Sequence, residues 1–255
     1  MSLTFAHIVV LLAAGVGLAF ANTLASSGSA VSLPALLALS VGAEVANGTN
    51  RVAVFVGGIA AFISFARKGH VDWRNVLPFG AATVAGGILG VVLSELIAPT
   101  RLHVFIVIAL FGAVAILCVK PNRWMANEGE REIKRGPLQL GLLFLVGAWT
   151  GFIVLDAAAF VLFILVFAIG YDLLRANAMK AVLLVLTAGA SLPVLAYKDS
   201  IEWGPAGILS IGAVIGGLVA AWLAMKPGAA RWVYRFLVLI IGGEILSMVL
   251  RAIHL

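Results

Sequence analysis

The amino-acid sequence predicts an all-α integral membrane protein built from two inverted repeats. Of its 255 residues, 63% are hydrophobic and only 11% are charged, and a soluble domain could not cover that much apolar surface with polar groups. The second half also repeats the first at a constant offset of 130 positions. The offset pairs Ala46-Asn47 with Ala176-Asn177, Lys68 with Lys198, Val71-Asp72-Trp73 with Ile201-Glu202-Trp203, and Arg101 with Arg231.

Each repeat is expected to contain about five helical segments. Apolar runs fall near 4–22, 30–42, 48–66, 77–97 and 102–119, and then near 138–153, 158–170, 178–196, 205–225 and 232–250. A spanning helix needs roughly 20 apolar residues, so the runs 30–42 and 158–170 are short. We therefore expect broken or re-entrant hairpins at 4–42 and 138–170.

The segments group into a first membrane repeat at 1–119, a cytoplasmic connector at 120–137 and a second membrane repeat at 138–255. If each hairpin arm counts as a crossing, one membrane face carries all but four of the 17 basic residues, and the four exceptions are Arg51, Arg101, Lys198 and Arg251. The positive-inside rule then predicts a cytoplasmic connector and both termini outside. Because five segments is an odd number, the second repeat is inverted relative to the first, which is typical of secondary transporters.

The turn of the first hairpin carries a dense set of hydrogen-bonding groups. It reads Asn22-Thr23-Leu24-Ala25-Ser26-Ser27-Gly28-Ser29. The backbone N–H groups at the start of the following short helix have no helical partners and carry partial positive charge, so with the hydroxyl groups they form a candidate anion site. The alternative is that these small residues only allow two helices to pack closely. We expect substrate contacts from Asn22, Ser26, Ser27, Gly28 and Ser29.

Two further polar stretches open the next helix of each repeat. They are Ala46-Asn47-Gly48-Thr49-Asn50-Arg51 and Arg175-Ala176-Asn177-Ala178-Met179-Lys180. We expect substrate contacts from Asn47, Thr49, Asn50, Asn177 and Lys180, with Lys180 supplying positive charge. Two alternatives remain open: the Asn and Thr side chains cap free N–H groups, or Arg51 and Lys180 extend to the membrane interface.

Asp156 is the candidate for ion coupling. It lies at the turn of the second hairpin, in Gly151-Phe152-Ile153-Val154-Leu155-Asp156, and the offset pairs it with Ser26. A carboxyl group deep in a membrane is costly and is a functional candidate by default, since burial favours the protonated form that could carry a coupling proton. Capping of the short helix behind it is the alternative.

Other functional classes lack their sequence signals. The four His residues, at positions 7, 70, 103 and 254, have no metal-ligand spacing, and Cys118 is the single cysteine. There is no glycine-rich nucleotide loop and no catalytic constellation. We therefore expect no enzyme activity, no metal, no cofactor and no nucleic-acid partner; the net charge of +6 reflects basic cytoplasmic loops.

The hairpin and helix motifs resemble those of the TauE/SafE sulfite exporter family, whose members are four-toluene sulfonate uptake permease-type anion transporters. The segment Asn22 to Ser29, followed by Pro34, resembles the family turn N-T-L-A-G-G-G-S with its proline-bearing helix, and Ala46 to Arg51 resembles A-N-x-T-N-R. Segments 151–156 and 175–180 are similar to the matching family segments. Ser26 and Ser27 replace two glycines of the usual turn.

The resemblance implies transport of small sulfur-containing anions, such as sulfite or organosulfonates, across the bacterial inner membrane. We expect an exporter, and the inverted repeats predict that it works by alternating access. The expected partners are that anion and membrane lipid, with possible proton coupling and no assignment of oligomeric state. Two other functions remain open: a passive anion channel, and a membrane subunit of sulfur metabolism that moves no solute.

Overall fold

The computed structural model describes residues 3–25, 28–96, 132–152 and 157–253. All regular structure in these ranges is helical, as the sequence predicts for an all-α membrane protein. The helices are α1 (Phe5–Leu24), α2 (Ser29–Ala38), α3 (Ala43–Arg67), α4 (Trp73–Leu96), α5 (Pro137–Phe152), α6 (Ala157–Phe163, continued by a π-helical turn at Ile164–Ile169), α7 (Leu173–Tyr197), α8 (Trp203–Ala224) and α9 (Ala229–Ile253).

Five of the described helices are long and apolar enough to cross a membrane. They are α1, α3, α7, α8 and the Trp73–Leu93 part of α4. Their outer sides expose large apolar side chains such as Leu77, Ile211 and Ile215, which suit contact with lipid. The predicted segment 102–119 and most of the connector lie outside the described residues.

The first predicted hairpin is a broken helix that turns back on itself. Helix α1 ends at Leu24 and α2 begins at Ser29. A Cβ atom on Gly28 would collide with the carbonyl oxygen of Leu18, and one on Gly17 would lie 3.0 Å from the side chain of Val31. Later residues of α2 therefore contact earlier residues of α1, so the two arms run in opposite directions.

The second hairpin turns back in the same way. The backbone N–H of Lys134 donates to the carbonyl of Ile169 over 2.9 Å, and Gln139 Nε2 donates to the carbonyl of Ala168 over 3.2 Å. The end of α6 thus returns to the level at which α5 begins. With 10 residues, α2 rises about 15 Å, roughly half of the hydrocarbon core. Both short segments are therefore compatible with re-entrant arms.

Helices α3 and α7 begin earlier than the sequence pattern suggests. Helix α3 starts at Ala43, after Ser40 in the left-handed region (φ 60°). Helix α7 starts at Leu173 behind the cap Asp172, whose carboxylate accepts from the backbone N–H of Arg175 over 2.9 Å. The polar stretches 47–51 and 177–180 therefore lie inside these helices, and the interpretation that their Asn and Thr residues cap α3 and α7 is wrong.

The two halves pack against each other through glycine-rich crossings. In the α1–α8 contact, a Cβ atom on Gly216 would collide with the carbonyl oxygen of Val16; in the α4–α5 contact, a Cβ atom on Gly86 would collide with that of Phe144. Small residues allow helix backbones to approach this closely in lipid. The offset of 130 converts α1 into α5 and α4 into α8, so these two contacts are counterparts. The packing supports a two-fold relation between the repeats, while their inversion across the membrane stays a prediction.

Candidate functional site

Asn22 links the two arms of the first hairpin across the break between α1 and α2. Its Oδ1 accepts from the backbone N–H of Gly28 over 2.9 Å. This bond satisfies an N–H group at the start of α2 that has no helical partner. Gly28 is required there because the backbone approaches Leu18 so closely. Ser26 and Ser27, predicted beside them, lie outside the described residues.

Asn50 joins the first hairpin to α3. Its Nδ2 donates to Ser29 Oγ over 3.0 Å, and its Oδ1 accepts from Ser32 Oγ over 2.5 Å. Asn50 and Ser32 are fully buried and Ser29 nearly so. These side chains satisfy one another, so they fix the position of α2 against α3. Sequence reasoning missed Ser32, although its spacing of three residues from Ser29 places both on one face of a helix.

Asn47 and Thr49 lie apart from the hairpin breaks. Thr49 Oγ1 is buried and accepts from the backbone N–H of Glu202 over 3.0 Å, and a Cβ atom on neighbouring Gly48 would collide with the carbonyl oxygen of Ser200. This side of α3 therefore packs on the α7–α8 loop. Asn47 is half-buried, and neither Asn47 nor Thr49 lines the cavities described below.

Lys180, from the second half of the chain, binds the carbonyl groups at the end of α1. Its side chain is fully buried, and Nζ donates to the carbonyls of Thr23 (3.2 Å) and Ala25 (3.0 Å). These carbonyls belong to a helix C-terminus, where unpaired acceptors and the negative end of the helix dipole favour a cation. Lys180 is not at the membrane interface.

Arg51 makes the reciprocal contact with the second hairpin. One terminal nitrogen donates to the carbonyls of Thr150 (3.4 Å) and Gly151 (3.3 Å) at the end of α5. The residue is 5% exposed, and its Nε has no hydrogen-bond partner. Like Lys180, it does not extend to the interface. No carboxylate of the described residues forms an ion pair with either cation.

A small cavity lies between the two hairpins. Its volume is about 30 Å³, and its polar lining comes from Asn22, Arg51 and Thr150. The hydroxyl group of Thr150 donates to the carbonyl of Val146 over 2.7 Å. The structure thus brings a predicted site residue, Asn22, together with Arg51, which the sequence pattern left open as an interfacial residue. The clue was its position beside Asn50 within an apolar run.

Asn177 is buried (1% exposed), and its Oδ1 has no hydrogen-bond partner. An unpaired amide oxygen in an apolar interior is costly, so this position remains a candidate for contact with a ligand or for function in another conformer. Asp156 lies outside the described residues, and its predicted role in ion coupling stays a prediction. In the part of the chain that the structure describes, no group of three His, Cys, Asp or Glu side chains could hold a metal ion.

A separate polar network joins the halves at the start of α4, and its two titratable members, Asp72 and Tyr171, lie outside the membrane-spanning helices. Asp72 Oδ2 accepts from the Tyr171 hydroxyl and from Asn75 Nδ2, each over 2.8 Å. Partial burial would raise the pKa of Asp72, but these hydrogen bonds and those from backbone N–H groups outweigh it and hold the pKa below its ordinary value. Burial and the neighbouring carboxylate raise the pKa of Tyr171.

Comparison with known proteins identifies the class of protein. The chain matches the sulfite exporter TauE/SafE family over residues 11–245. It is 24% identical over 210 residues to a probable membrane transporter protein ORF9 of Sinorhizobium sp., covering 82% of this chain and 80% of that protein. It is 28% identical over 240 residues to a probable membrane transporter protein of Xylella fastidiosa, covering 90% and 89%.

A probable membrane transporter protein of Haemophilus influenzae is 23% identical over 226 residues, with 87% of this chain and 86% of that protein covered. No solved structure matches the chain significantly. The family match covers the turns of both hairpins and both buried cations. This chain is a multi-pass membrane transporter, and it belongs to the sulfite exporter TauE/SafE family.

Proposed function

We propose that this chain is a secondary transporter of small sulfur-containing oxyanions, such as sulfite or an organosulfonate, that works by alternating access in the bacterial inner membrane. The observation that carries the proposal is the pair of buried cations, Arg51 and Lys180, each placed at a break in the opposite hairpin. A buried charge is costly in a membrane unless it is paired or binds a ligand.

Arg51 is the residue that we assign to the anion. One terminal nitrogen of its guanidinium donates long hydrogen bonds to two carbonyls, and Nε has no hydrogen-bond partner. A planar guanidinium offers several N–H groups in a geometry that matches an oxyanion. Lys180 is better satisfied, with bonds of 3.0 and 3.2 Å, and we assign it mainly to holding the first hairpin.

The size of the central cavity favours a compact anion. A volume of about 30 Å³ has room for about two water molecules, by the usual minimum of about 10–15 Å³ for one. An anion of a few heavy atoms fits after a small opening of the hairpins. A longer organosulfonate requires a larger displacement, so sulfite is the favoured cargo.

The test is uptake by purified protein in liposomes. Sulfite, sulfate, thiosulfate, taurine and sulfoacetate would each be offered, and saturable uptake with counterflow is expected for at least one sulfur oxyanion, best for the smaller ones. Conductance without counterflow would favour the passive channel, and the absence of any anion flux would contradict both.

A further inference from the structure

A second, larger cavity lies between α4, α5 and α7. Its volume is about 270 Å³, and Arg51 and Gly151 line its inner end. Arg51 therefore borders both this cavity and the central one. The Nε of this shared residue has no hydrogen-bond partner.

One stripe of α7 leads from the inner end of this cavity to its mouth. The stripe consists of Thr187, Ser191, Val194 and Lys198, a spacing that keeps side chains on one helix face. At 1.5 Å per residue it covers about 16 Å, roughly half of the hydrocarbon core. Lys198 is exposed, and Val194 is 39% exposed. The cavity thus has a cation at each end.

The repeat-related position is packed more tightly. The offset of 130 converts Thr187, Ser191 and Lys198 into Gly57, Ala61 and Lys68. There Ala61 is fully buried, whereas its counterpart Ser191 is 5% exposed, and a Cβ atom on Gly217 would lie 2.5 Å from the carbonyl oxygen of Gly57.

We propose that the cavity between α4, α5 and α7 is the route by which a small oxyanion reaches Arg51 in this conformer, and that Lys198 attracts the anion at its mouth. This inference rests on the proposed function. The repeat-related position between α3 and α8, with Lys68 at the end of α3, is the route used when the two repeats exchange conformations. Like the termini, the Lys198 end is predicted to face outside.

Cysteine labelling tests the route without requiring transport. In a Cys118→Ser background, Ser191→Cys and its counterpart Ala61→Cys would be treated in liposomes with a small anionic methanethiosulfonate reagent. Ser191→Cys should react at least about tenfold faster, which corresponds to about 1.4 kcal/mol. Val194→Cys, at the mouth, should react in every folded preparation and controls for folding and reagent access.

The charge at the mouth gives a second readout. The measured quantity is the labelling rate of Ser191→Cys with the anionic reagent divided by its rate with a cationic reagent of similar size. Changing Lys198 to Gln should lower this ratio by about threefold to tenfold, and by less at high salt. Lys68→Gln, at the position that the offset of 130 pairs with Lys198, is the control and should leave that ratio unchanged.

Equal labelling of Ser191→Cys and Ala61→Cys would overturn the proposal, as would reaction of Val194→Cys without reaction of Ser191→Cys. An unchanged ratio of anionic to cationic labelling rates in Lys198→Gln would also overturn it. Labelling as expected in a protein that moves no anion would instead refute the proposed function and leave the access route standing. The two failures are therefore distinguishable.

Discussion

Arg51 and Lys180 differ in how well their hydrogen-bond donors are satisfied, although both are buried cations. Lys180 donates over 3.0 and 3.2 Å, whereas the contacts of Arg51 measure 3.3 and 3.4 Å and leave Nε unpaired. Hydrogen bonds to a charged group contribute about 1.5–3 kcal/mol when they are well formed. An incoming oxyanion thus has more to gain at Arg51.

Changing Arg51 to Gln should lower the kcat/KM of anion uptake by about tenfold to a hundredfold, because it removes the charge that binds the oxyanion. Transport assays in liposomes measure the effect. Arg67→Gln, an exposed position at the end of the same helix, is the matched control and should stay within about twofold. Wild-type uptake by Arg51→Gln would exclude the guanidinium from the anion site.

Asp72 should make stability depend on pH. Its pKa is lower in the folded protein than the ordinary value of 3.8, so its contribution is present above that value and is lost as pH falls through the folded pKa. Asp72→Asn should therefore lower the unfolding temperature at pH 7, and the difference from wild type should shrink below pH 3.8. Thermal unfolding in detergent measures this, and a constant difference across pH would contradict it.

At the scale of helices, the glycine crossings between the halves set how closely α1 and α8 approach. Changing Gly216 to Ala places a methyl group against the carbonyl oxygen of Val16 and should cost about 1–3 kcal/mol, the usual range for overpacking. Gly207→Ala lies on the same helix with no atom within 4 Å and should be neutral or slightly stabilising. Equal unfolding temperatures for the two variants would show that α1 and α8 can separate freely.

The sequence predicted the helix breaks well because their physical signals are local. A polar turn between two apolar runs, one too short to span, is sufficient to place the break between Leu24 and Ser29. The start of α3 was harder, since Ala43 to Ala46 carries Glu44 and looks like loop. The start of α3 depends on the tertiary packing of its first turns, and the neighbouring sequence carries no signal of that packing.

The roles within the site could not be read from the sequence for a related reason. When apolar residues surround a helix on all sides, periodicity does not indicate which side faces the protein. Arg51 and Lys180 occupy nearly equivalent positions, but the offset aligns Lys180 with Asn50 and Arg51 with Ala181. One position corresponds to about 100° around a helix, which is why the two cations reach different surroundings.

At the scale of the whole molecule, alternating access requires one side of the site to be open while the other is closed. Thr187 and Ser191 border the cavity of about 270 Å³ that reaches Arg51, whereas their counterparts Gly57 and Ala61 lie where the backbones of α3 and α8 pack closely. A passive channel would need a continuous path on both sides of the site. The asymmetry therefore supports a carrier.

Asp156 is predicted to couple transport to protons. Asp156→Asn should preserve anion binding but abolish the dependence of flux on a pH gradient, because the amide cannot release a proton. Binding to purified protein and uptake with and without an imposed gradient measure the two effects separately. Gradient-dependent flux in Asp156→Asn would remove this carboxyl group from the mechanism.

Lys180 binds the end of α1, and Arg51 binds the end of α5. Each half of the chain therefore supplies a cation that the hairpin of the other half needs. A fragment produced alone would bury carbonyl groups with no donor to meet them. Severing the chain within the connector should consequently yield an active protein when both fragments are produced in one cell, and proteolysis of either fragment when its complement is missing. The same dependence suits descent from a single short gene whose products paired head to tail before the copies were fused.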